Sequence, residues 1–330
     1  QLQKISESYD YIVVFPTDDL QLENLYQIYD DISSFCYIPF NRDTLLKSLD
    51  KTFQYQICEK IGVPYPKSVS VISAIDLDKI DELAFPLIIK PSVRKDSTTN
   101  VFRNRYILNL KKYLKEKDYI IEKIKSGIEF IVSEYIPGDD TNIYAYTCFR
   151  SNEGAILNEW TGKKLSQYPD NYGVFSSSSN EAPDIIFKQG RMIVEGLNAF
   201  GIVEPEFKYD YRDDKYKLME TNLRSMMWHR TGSISGVKLH ETQFKYATKQ
   251  TINEYKQERS QRIHFVLMMH EIPNLISRPN YWKYFKHNVW GGDKRIWALF
   301  DLYDIKPFFY SLLLLTRRGA IAWVRRLGLR

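Results

Sequence analysis

The sequence is poor in cysteine, and the cysteines it has are scattered. Its 330 residues contain only Cys36, Cys58 and Cys148. Their odd number and wide spacing fit neither a metal site nor the dense disulfide framework of a small secreted domain. The early residues also lack the basic start, apolar run and small-residue cleavage site of a secretion signal. A reducing, cytoplasmic location is therefore expected.

Long apolar runs are absent as well. The run PFFYSLLLL covers residues 307–315 and falls short of the roughly 20 residues that a membrane-spanning helix needs. It lies among arginines and aromatic residues, a mixture typical of helices that lie on a membrane surface. We therefore expect the C-terminal tail either to contact a membrane peripherally, at its inner face, or to pack over the rest of the protein.

A strong excess of one charge is also lacking. The formal net charge is +5, and 26% of the residues are charged. No zinc-finger or RNA-recognition pattern accompanies the basic tail, so nucleic acid is not an expected partner. The hydrophobic content of 44% over 330 residues is typical of a globular protein with two or three packed lobes.

Short apolar runs bounded by turn-forming residues predict an α/β protein. Residues 11–15 (YIVVF) and 85–90 (FPLIIK) have the composition of buried strands. Between them, Asp50 and Gly62 are suitable N- and C-caps for a helix over residues 51–61. Helix and strand therefore alternate in the first part of the chain.

The strongest chemical constellation is a predicted antiparallel hairpin, VEPEFKYDY followed by KYKLMETNL. Side chains alternate along a strand, so Glu220 and Asn222 share one face, and Glu206 can meet them from the partner strand. Glu204 has the same parity as Glu206 and is an equal candidate. Such oxygen ligands suit Mg²⁺ beside nucleotide phosphates, and Arg224 adds donors for a carboxylate or phosphate. Alternatively, these charges only form cross-strand pairs on a solvated hairpin.

Four segments occur in an order that is similar to a known family. They are a helix that starts at Asp50 and Lys51 and ends in GVPYPKS, a strand ending in IIKP with Lys90, the segment EYIPGDD, and the hairpin EFK…KLMETNLR. Over roughly residues 45–235 the chain resembles the ATP-grasp superfamily, which includes biotin carboxylase and D-alanine-D-alanine ligase. The resemblance implies that ATP and Mg²⁺ are the cofactors.

The fold class implied by this resemblance is α/β (α+β) with ATP-grasp architecture. We expect a partial pre-ATP-grasp α/β lobe over residues 1–66 and a small lid subdomain over 67–133. A catalytic grasp subdomain with an antiparallel sheet is expected over 134–245. Residues 246–330 are expected to form a helical, basic and aromatic C-terminal extension.

The resemblance also implies roles for the charged residues. Lys90 and Lys51 correspond to lysines that contact the nucleotide phosphates, and Arg224 corresponds to an arginine that stabilises the acyl-phosphate or its precursor carboxylate. The metal ligands are expected to be Glu206, Glu220 and Asn222. The family's lid loop is often rich in glycine, but the segment SVRKDSTTN contains none. Its phosphate contacts would then come from Ser97, Thr98, Thr99 and from Arg94, Lys95 or Arg105.

The remaining expected roles concern the base, the ribose and the acceptor. The adenine is expected to meet Glu134 and the backbone of Tyr135 and Ile136. Asp140, with Asp139 as its rival, is expected to bond the ribose hydroxyls. The stretch WTGKKLSQYPDNYG resembles one in predicted ATP-grasp carboligases that include bacterial D-aspartate ligases, and it would bring Lys164 or Lys163 to the acceptor pocket. His229 is a further candidate for substrate contact, with a structural role as the alternative.

The function implied is an ADP-forming carboxylate-amine ligase. It would activate a carboxylate as an acyl-phosphate and join it to an amine. The subgroup suggests that an amino acid is added to a cell-envelope or surface-polysaccharide precursor, with a lipid-linked or sugar-nucleotide acceptor. The alternatives are a non-catalytic ATP-binding scaffold on the same fold and a biotin-carboxylase-like carboxylation.

Overall fold

The computed structural model describes residues 1–93, 101–170 and 173–326, with side chains described as far as Arg317. Five residues of the loop expected to cover the phosphates lie outside the described residues: Arg94, Lys95, Ser97, Thr98 and Thr99.

The described residues form thirteen strands in three sheets. The strands are β1 (Ile12–Val13), β2 (Cys36–Tyr37), β3 (Ser68–Val71), β4 (Leu87–Pro91), β5 (Arg105–Ile107), β6 (Phe130–Glu134), β7 (Ile143–Arg150), β8 (Ile156–Tyr168), β9 (Val174–Ser179), β10 (Gly201–Asp210), β11 (Lys215–Asn222), β12 (Ile263–Val266) and β13 (Lys294–Trp297).

The α-helices of the described part of the chain flank these sheets or lie at the termini. They are α1 (Leu2–Ser6), α2 (Asp19–Gln27), α3 (Tyr29–Ile32), α4 (Leu45–Ser48), α5 (Lys51–Ile61), α6 (Leu110–Lys125), α7 (Asp184–Gly196), α8 (Arg230–Ile234), α9 (Leu239–Ala247), α10 (Met268–Ser277), α11 (Trp282–Trp290) and α12 (Lys306–Arg326).

The helix α5 begins and ends where its capping residues predict. The Asp50 carboxylate accepts a hydrogen bond from the Thr52 amide at 2.8 Å. Gly62 has φ +73°, a left-handed conformation that favours glycine at the end of a helix. The backbone amide of Lys51 donates to the carbonyl of Ser92 at 3.1 Å. This bond ties the start of α5 to the chain that follows β4.

The four-stranded antiparallel sheet has the order β3-β6-β4-β5. One face packs on α6 and on a 3-10 helix over Ala74–Glu82, around a core that includes Leu87, Ile89 and Phe130. Ile88 and Lys90 alternate with these core residues along β4 and line a cavity instead.

The seven-stranded sheet has the order β11-β10-β7-β8-β9-β12-β13 and is antiparallel except between β12 and β13. These last two strands correct the expected helical extension over residues 246–330, because that segment contains two strands besides its helices. β12 pairs with β9, with His264 opposite Ser179. Each strand is only four residues long, so its pattern alone does not separate it from a turn. The C-terminal segment is thus an integral part of the central sheet.

In the N-terminal segment, β1 and β2 form a parallel pair that is separate from the two larger sheets. Along α12, several large apolar side chains are exposed, among them Phe309, Tyr310 and Leu313. None of the helices among the described residues is long and apolar enough to cross a membrane.

Candidate active site

A cavity of about 910 Å³ lies between the two larger sheets. Its lining includes residues from both sheets, from the segment that links β6 to β7, and from the chain that follows β1 and β11. The lining residues include Asp19, Lys90, Arg103, Glu134, Tyr135, Ile136, Ile143, Lys164, Glu206, Lys208, Met219, Glu220 and Arg224. A site of this size and polarity suits a small-molecule ligand.

The hairpin β10–β11 forms one wall of this cavity. Glu206 lies directly opposite Glu220, and Glu204 opposite Asn222. The Asn222 side-chain amide donates to Glu206 Oε1 at 3.3 Å. Glu206, Glu220 and Asn222 are therefore brought together, as alternation along the strands implies.

Glu204 does not belong to this group, because its carboxylate bonds to other residues. Its Oε2 accepts a hydrogen bond from His229 Nε2 at 2.5 Å, and the Thr147 hydroxyl donates to it at 3.3 Å. His229 Nδ1 accepts from the Met226 amide at 3.2 Å, so Nε2 carries the proton. His229 is only 2% exposed and lies outside the cavity lining. The structure therefore gives His229 a buried, structural position rather than one of substrate contact.

The two lysines proposed for the acceptor pocket point in different directions along β8. Lys164 Nζ lies 2.8 Å from Glu206 Oε2, inside the cavity. Lys163 faces Glu181, with 3.6 Å between the charged atoms. Successive side chains of a strand face opposite sides, so only one of the two can reach the cavity. Lys164 is that residue.

Burial and nearby cations shift the pKa values of the two facing carboxylates in different directions. Burial favours the neutral form of Glu220, but Lys51, Lys90 and other nearby cations outweigh it and lower its pKa to about 2. For Glu206, burial outweighs the attraction of Lys164 and raises the pKa. Glu220 is thus anionic at neutral pH, whereas burial shifts Glu206 toward its neutral form against the attraction of Lys164.

The cations around Glu220 come from separate parts of the chain. Lys90 lies on β4 inside the cavity, where burial lowers its pKa even though Glu220 acts in the opposite direction. Lys51, at the first turn of α5, and Arg103 both line a smaller adjoining cavity with Glu220. Anionic oxygens of a ligand would offset this excess of positive charge.

Arg105 does not reach either cavity. Its Nε lies 3.6 Å from Glu116 Oε2, and its guanidinium lies 4.8 Å from the centre of the Phe102 ring. Arg103, two residues earlier, lines both cavities instead. Arg105 lies on β5 opposite Ile89, whose side chain belongs to the core and not to the cavity. Arg103 precedes the strand.

The segment after β6 provides a wall with apolar and polar groups. Glu134, Tyr135 and Ile136 all line the cavity, where the sequence places them. The Tyr135 amide donates to the Pro86 carbonyl at 2.9 Å, and Glu134 Oε1 accepts from the Ala84 amide at 3.0 Å. These bonds join the segment to the approach to β4.

The acids proposed for the ribose are both engaged within the protein. Asp140 Oδ1 accepts from the Gln167 side-chain amide at 2.8 Å, and its Oδ2 accepts from Arg278 at 3.3 Å. Asp139 accepts from the amide of Thr141 at 3.1 Å as an N-cap. Neither acid lines the cavity. The ribose role expected for Asp140 is therefore not supported, because its lone pairs are directed at β8 and at the C-terminal segment.

Arg224 is held by a residue from the beginning of the chain. Its Nε donates to Asp19 Oδ1 at 2.5 Å, and its NH1 group donates to the Thr17 carbonyl at 3.4 Å. Asp19, at the start of α2, was not predicted as a site residue, because nothing in its local sequence marks it. Both residues line the two adjoining cavities.

Lys208 is a second residue that sequence reasoning missed. It lies on β10, lines the cavity, and has its Nζ 4.8 Å from the centre of the Tyr135 ring. Burial lowers its pKa to about 8. Its parity with Glu206 was the available signal, since the two residues are separated by one position on the same strand.

The donor set suits a metal that a bound nucleotide helps to hold. Within the described residues there is no cluster of three or more histidine, cysteine or acidic side chains that could hold a metal alone. Two carboxylates and an amide oxygen suit Mg²⁺, which usually takes its other ligands from water and from phosphates. The Asn222 side-chain nitrogen already donates to Glu206, and Glu206 lies opposite Glu220, so the three side chains are neighbours.

Comparisons with known proteins agree with this architecture. No family model matches the chain. A D-aspartate ligase of Enterococcus faecium (strain Aus0004) is 26% identical over 235 residues, 67% of this chain and 55% of the relative. The chain thus spans about half the length of that curated relative.

Solved structures share the overall fold. The ADP complex of PurK, N5-carboxyaminoimidazole ribonucleotide synthetase, has a TM-score of 0.63 at 14% identity, covering 83% of this chain and 70% of that one. A biotin carboxylase complex from Campylobacter jejuni has a TM-score of 0.63 at 15% identity, covering 77% of this chain and 58% of that one. These likenesses show the fold, which is an α/β fold with two sheets around a polar cavity. The chain has the ATP-grasp fold.

Proposed function

We propose that this chain is an ATP- and Mg²⁺-dependent ligase that activates a carboxylate and joins it to an amine. The observation that carries the proposal is the pairing of Glu206 directly opposite Glu220 in the cavity that Lys90 enters. Carboxylates beside buried cations form a site that can take both a divalent metal and nucleotide phosphates. The D-aspartate ligase relative, at 26% identity, supports a ligase over other uses of the fold.

Different parts of the cavity would bind different parts of the nucleotide and its metal. The wall formed by Tyr135 and Ile136 would receive the base. Lys90, Lys51 and Arg103 would hold the phosphates, and Glu206, Glu220 and Asn222 would hold Mg²⁺. When bound, Mg²⁺ would neutralise phosphate charge and align the phosphates for transfer.

The chemistry would proceed in two displacements. Arg224 would hold the donor carboxylate while one of its oxygens forms a bond to the γ-phosphorus and the bond to the ADP oxygen breaks. The amine nitrogen would then attack the acyl carbon of this acyl-phosphate, releasing phosphate and leaving its proton to solvent. The chain's own contribution is positioning and charge stabilisation, and no covalent nucleophile is needed.

ADP release by the full chain tests this function. We would screen carboxylic acids, including amino acids, against amine acceptors that include sugar nucleotides and envelope precursors, with bicarbonate as a separate arm. ADP should appear only when a carboxylic acid and an amine are both present. Release with bicarbonate instead would favour carboxylation, and ATP binding with no ADP under any condition would favour a scaffold.

The metal ligands can be tested in the same assay. Glu220→Gln should abolish ADP release and leave the protein folded, because an amide cannot supply the same charge to Mg²⁺. Glu195→Gln, at an exposed position of α7, is the matched control and should keep full activity. Turnover of Glu220→Gln at the wild-type rate would remove the metal assignment.

The finer substrate proposal is an amino acid added to a cell-envelope or surface-polysaccharide precursor, with a lipid-linked or sugar-nucleotide acceptor. Supporting it, α12 exposes Phe309 and Leu313, and the sequence after Asp304 contains six basic and no acidic residues. Such a surface suits peripheral contact with anionic lipid.

Co-sedimentation of the full chain with vesicles of mixed phosphatidylcholine and phosphatidylserine tests this contact. The double change Phe309→Glu with Leu313→Glu should abolish binding, because it places charge on the apolar face. Leu110→Glu with Leu114→Glu, at exposed positions of α6, is the control and should bind like the wild type. Equal binding of both double variants would exclude α12 as the contact.

A further inference from the structure

Lys208 is a buried cation that attracts Asp140, Asp139 and Asp210 only from beyond ion-pair distance. Its side chain lines the cavity although the residue is only 5% exposed. Among the described residues, no carboxylate oxygen lies within 4.0 Å of its Nζ, whereas Lys164 pairs with Glu206 and Arg224 with Asp19. A desolvated ammonium is costly unless a partner compensates it. A ligand group is therefore the partner that remains to be supplied.

The place of Lys208 on β10 separates it from the expected metal and phosphate end. Glu206 pairs with Glu220 and Ala145, whereas Lys208 pairs with Ile143. Two residues along a strand span about 6–7 Å. Lys208 is thus the next cavity-facing residue after Glu206 on β10, and it lies farther along the strand from Glu220 than Glu206 does.

The surroundings of Lys208 suit the binding of a nucleobase. Its ammonium lies 4.8 Å from the centre of the Tyr135 ring. Ile136, Ile143 and Met219 are apolar members of the same cavity lining. Flat apolar and aromatic walls suit a nucleobase, whereas phosphates need the cations grouped around Glu220.

We propose, on the basis of the nucleotide site proposed above, that Lys208 recognises the base by donating a hydrogen bond from its ammonium to an acceptor atom of the purine ring. An ammonium carries three donors and no acceptor, so it can pair with a ring nitrogen but not with an exocyclic amino group. Lys208 is then a base-contacting residue, distinct from the lysines that hold phosphate.

Binding of ADP and of inorganic tripolyphosphate by the full chain, each with Mg²⁺, separates the two ends of the site. Lys208→Met keeps a long, unbranched side chain and removes its donors. It should weaken ADP binding about tenfold or more, as expected for a hydrogen bond to a charged group, and leave tripolyphosphate binding unchanged. Lys215→Met, at an exposed position of the neighbouring strand, is the control and should change neither.

Thermal unfolding supplies a second measurement and checks that the variant folds. Without ligand, Lys208→Met should unfold at the same or a higher temperature than the wild type, because it removes a buried unpaired charge. With ADP, its gain in melting temperature should be smaller than that of the wild type. If Lys208 had a purely structural role, Lys208→Met would unfold at a lower temperature than the wild type without ligand.

The remaining outcomes overturn the proposal in distinguishable ways. An equal loss of ADP and tripolyphosphate binding makes Lys208 a phosphate ligand, and an unchanged ADP affinity removes it from the site. Either result leaves the proposed ligase function standing. A wild-type chain that binds neither ligand overturns the nucleotide site itself, and the role of Lys208 with it.

Discussion

Asp19 and Arg224 form an ion pair inside the cavity, with 2.5 Å between Oδ1 and Nε, although they are 205 residues apart in sequence. The pair fixes the Arg224 guanidinium beside the hairpin β10–β11. Because Asp19 occupies one side of the guanidinium, Arg224 can approach a substrate only with its remaining donors. The N-terminal lobe thereby sets the geometry of the proposed carboxylate site.

Asp19→Asn should therefore impair the reaction more than nucleotide binding. Without the charged partner, Arg224 can leave the position from which it would hold the donor carboxylate. We expect ADP release to fall about tenfold to a hundredfold, since small misplacements of a positioning group have effects of this order. ADP affinity, measured by calorimetry, should change little.

The control for this change is Asp30→Asn. Asp30 also pairs with an arginine, Arg42, but on the exposed surface away from the cavity. It should keep both activity and affinity. Full ADP release by Asp19→Asn would show that Arg224 does not need this anchor.

Arg103 and Arg105 provide a matched pair for the phosphate end of the cavity. Arg103 lines both cavities, whereas Arg105 is directed at Glu116 and Phe102. Arg103→Met should weaken ADP binding about tenfold, because a charge-assisted contact to phosphate is lost. Arg105→Met should bind ADP like the wild type. Equal losses in the two variants would contradict the positions that the structure gives them.

The sequence could predict the face of the hairpin but not the neighbours of its side chains. Alternation along two strands is a local property, and it correctly brings Glu206, Glu220 and Asn222 together. It leaves Glu204 open as well, because the choice depends on His229, which lies on a later segment. Asp19 is harder still, since only the folded chain brings it to Arg224.

The parts of the fold that were missed depend on tertiary pairing. β12 and β13 are each four residues long and become strands by extending the sheet beyond β9. Such runs are too short for their periodicity to distinguish them from the helical segments nearby. By contrast, α5 carries its own signals at Asp50 and Gly62, and its observed bounds match them.

His229 gives a prediction about stability, since it is the partner of a fully buried carboxylate. His229→Ala should lower the free energy of unfolding by about 3–5 kcal/mol, because Glu204 would lose its main partner while remaining buried. Chemical denaturation measures this change. His287→Ala, at an exposed position of α11, should lower it by less than about 1 kcal/mol. Normal stability of His229→Ala together with lost turnover would instead restore a catalytic role.

The turn of the hairpin β10–β11 should contribute a pH-dependent part of the free energy of unfolding. Asp210 accepts hydrogen bonds from Arg212 Nε at 2.8 Å and from Lys217 Nζ at 2.7 Å. These bonds, with Arg212 as the largest contributor, hold the pKa of Asp210 well below its usual range. A carboxyl group with a lowered pKa stabilises the folded state above its unfolded pKa of about 3.9. This contribution is lost as the pH falls through the lower, folded value.

Asp210→Asn should accordingly unfold about 1–3 kcal/mol more easily than the wild type at pH 7, as expected for the loss of hydrogen bonds to charged groups. The difference should stay constant from about pH 5 to 8 and shrink only below about pH 4, where the wild type begins to lose the same charge. Urea denaturation at several pH values measures both features, with Asp43→Asn on the exposed surface as the control. A difference that persists unchanged to pH 2 would mean that Asp210 stabilises the turn by its shape rather than its charge.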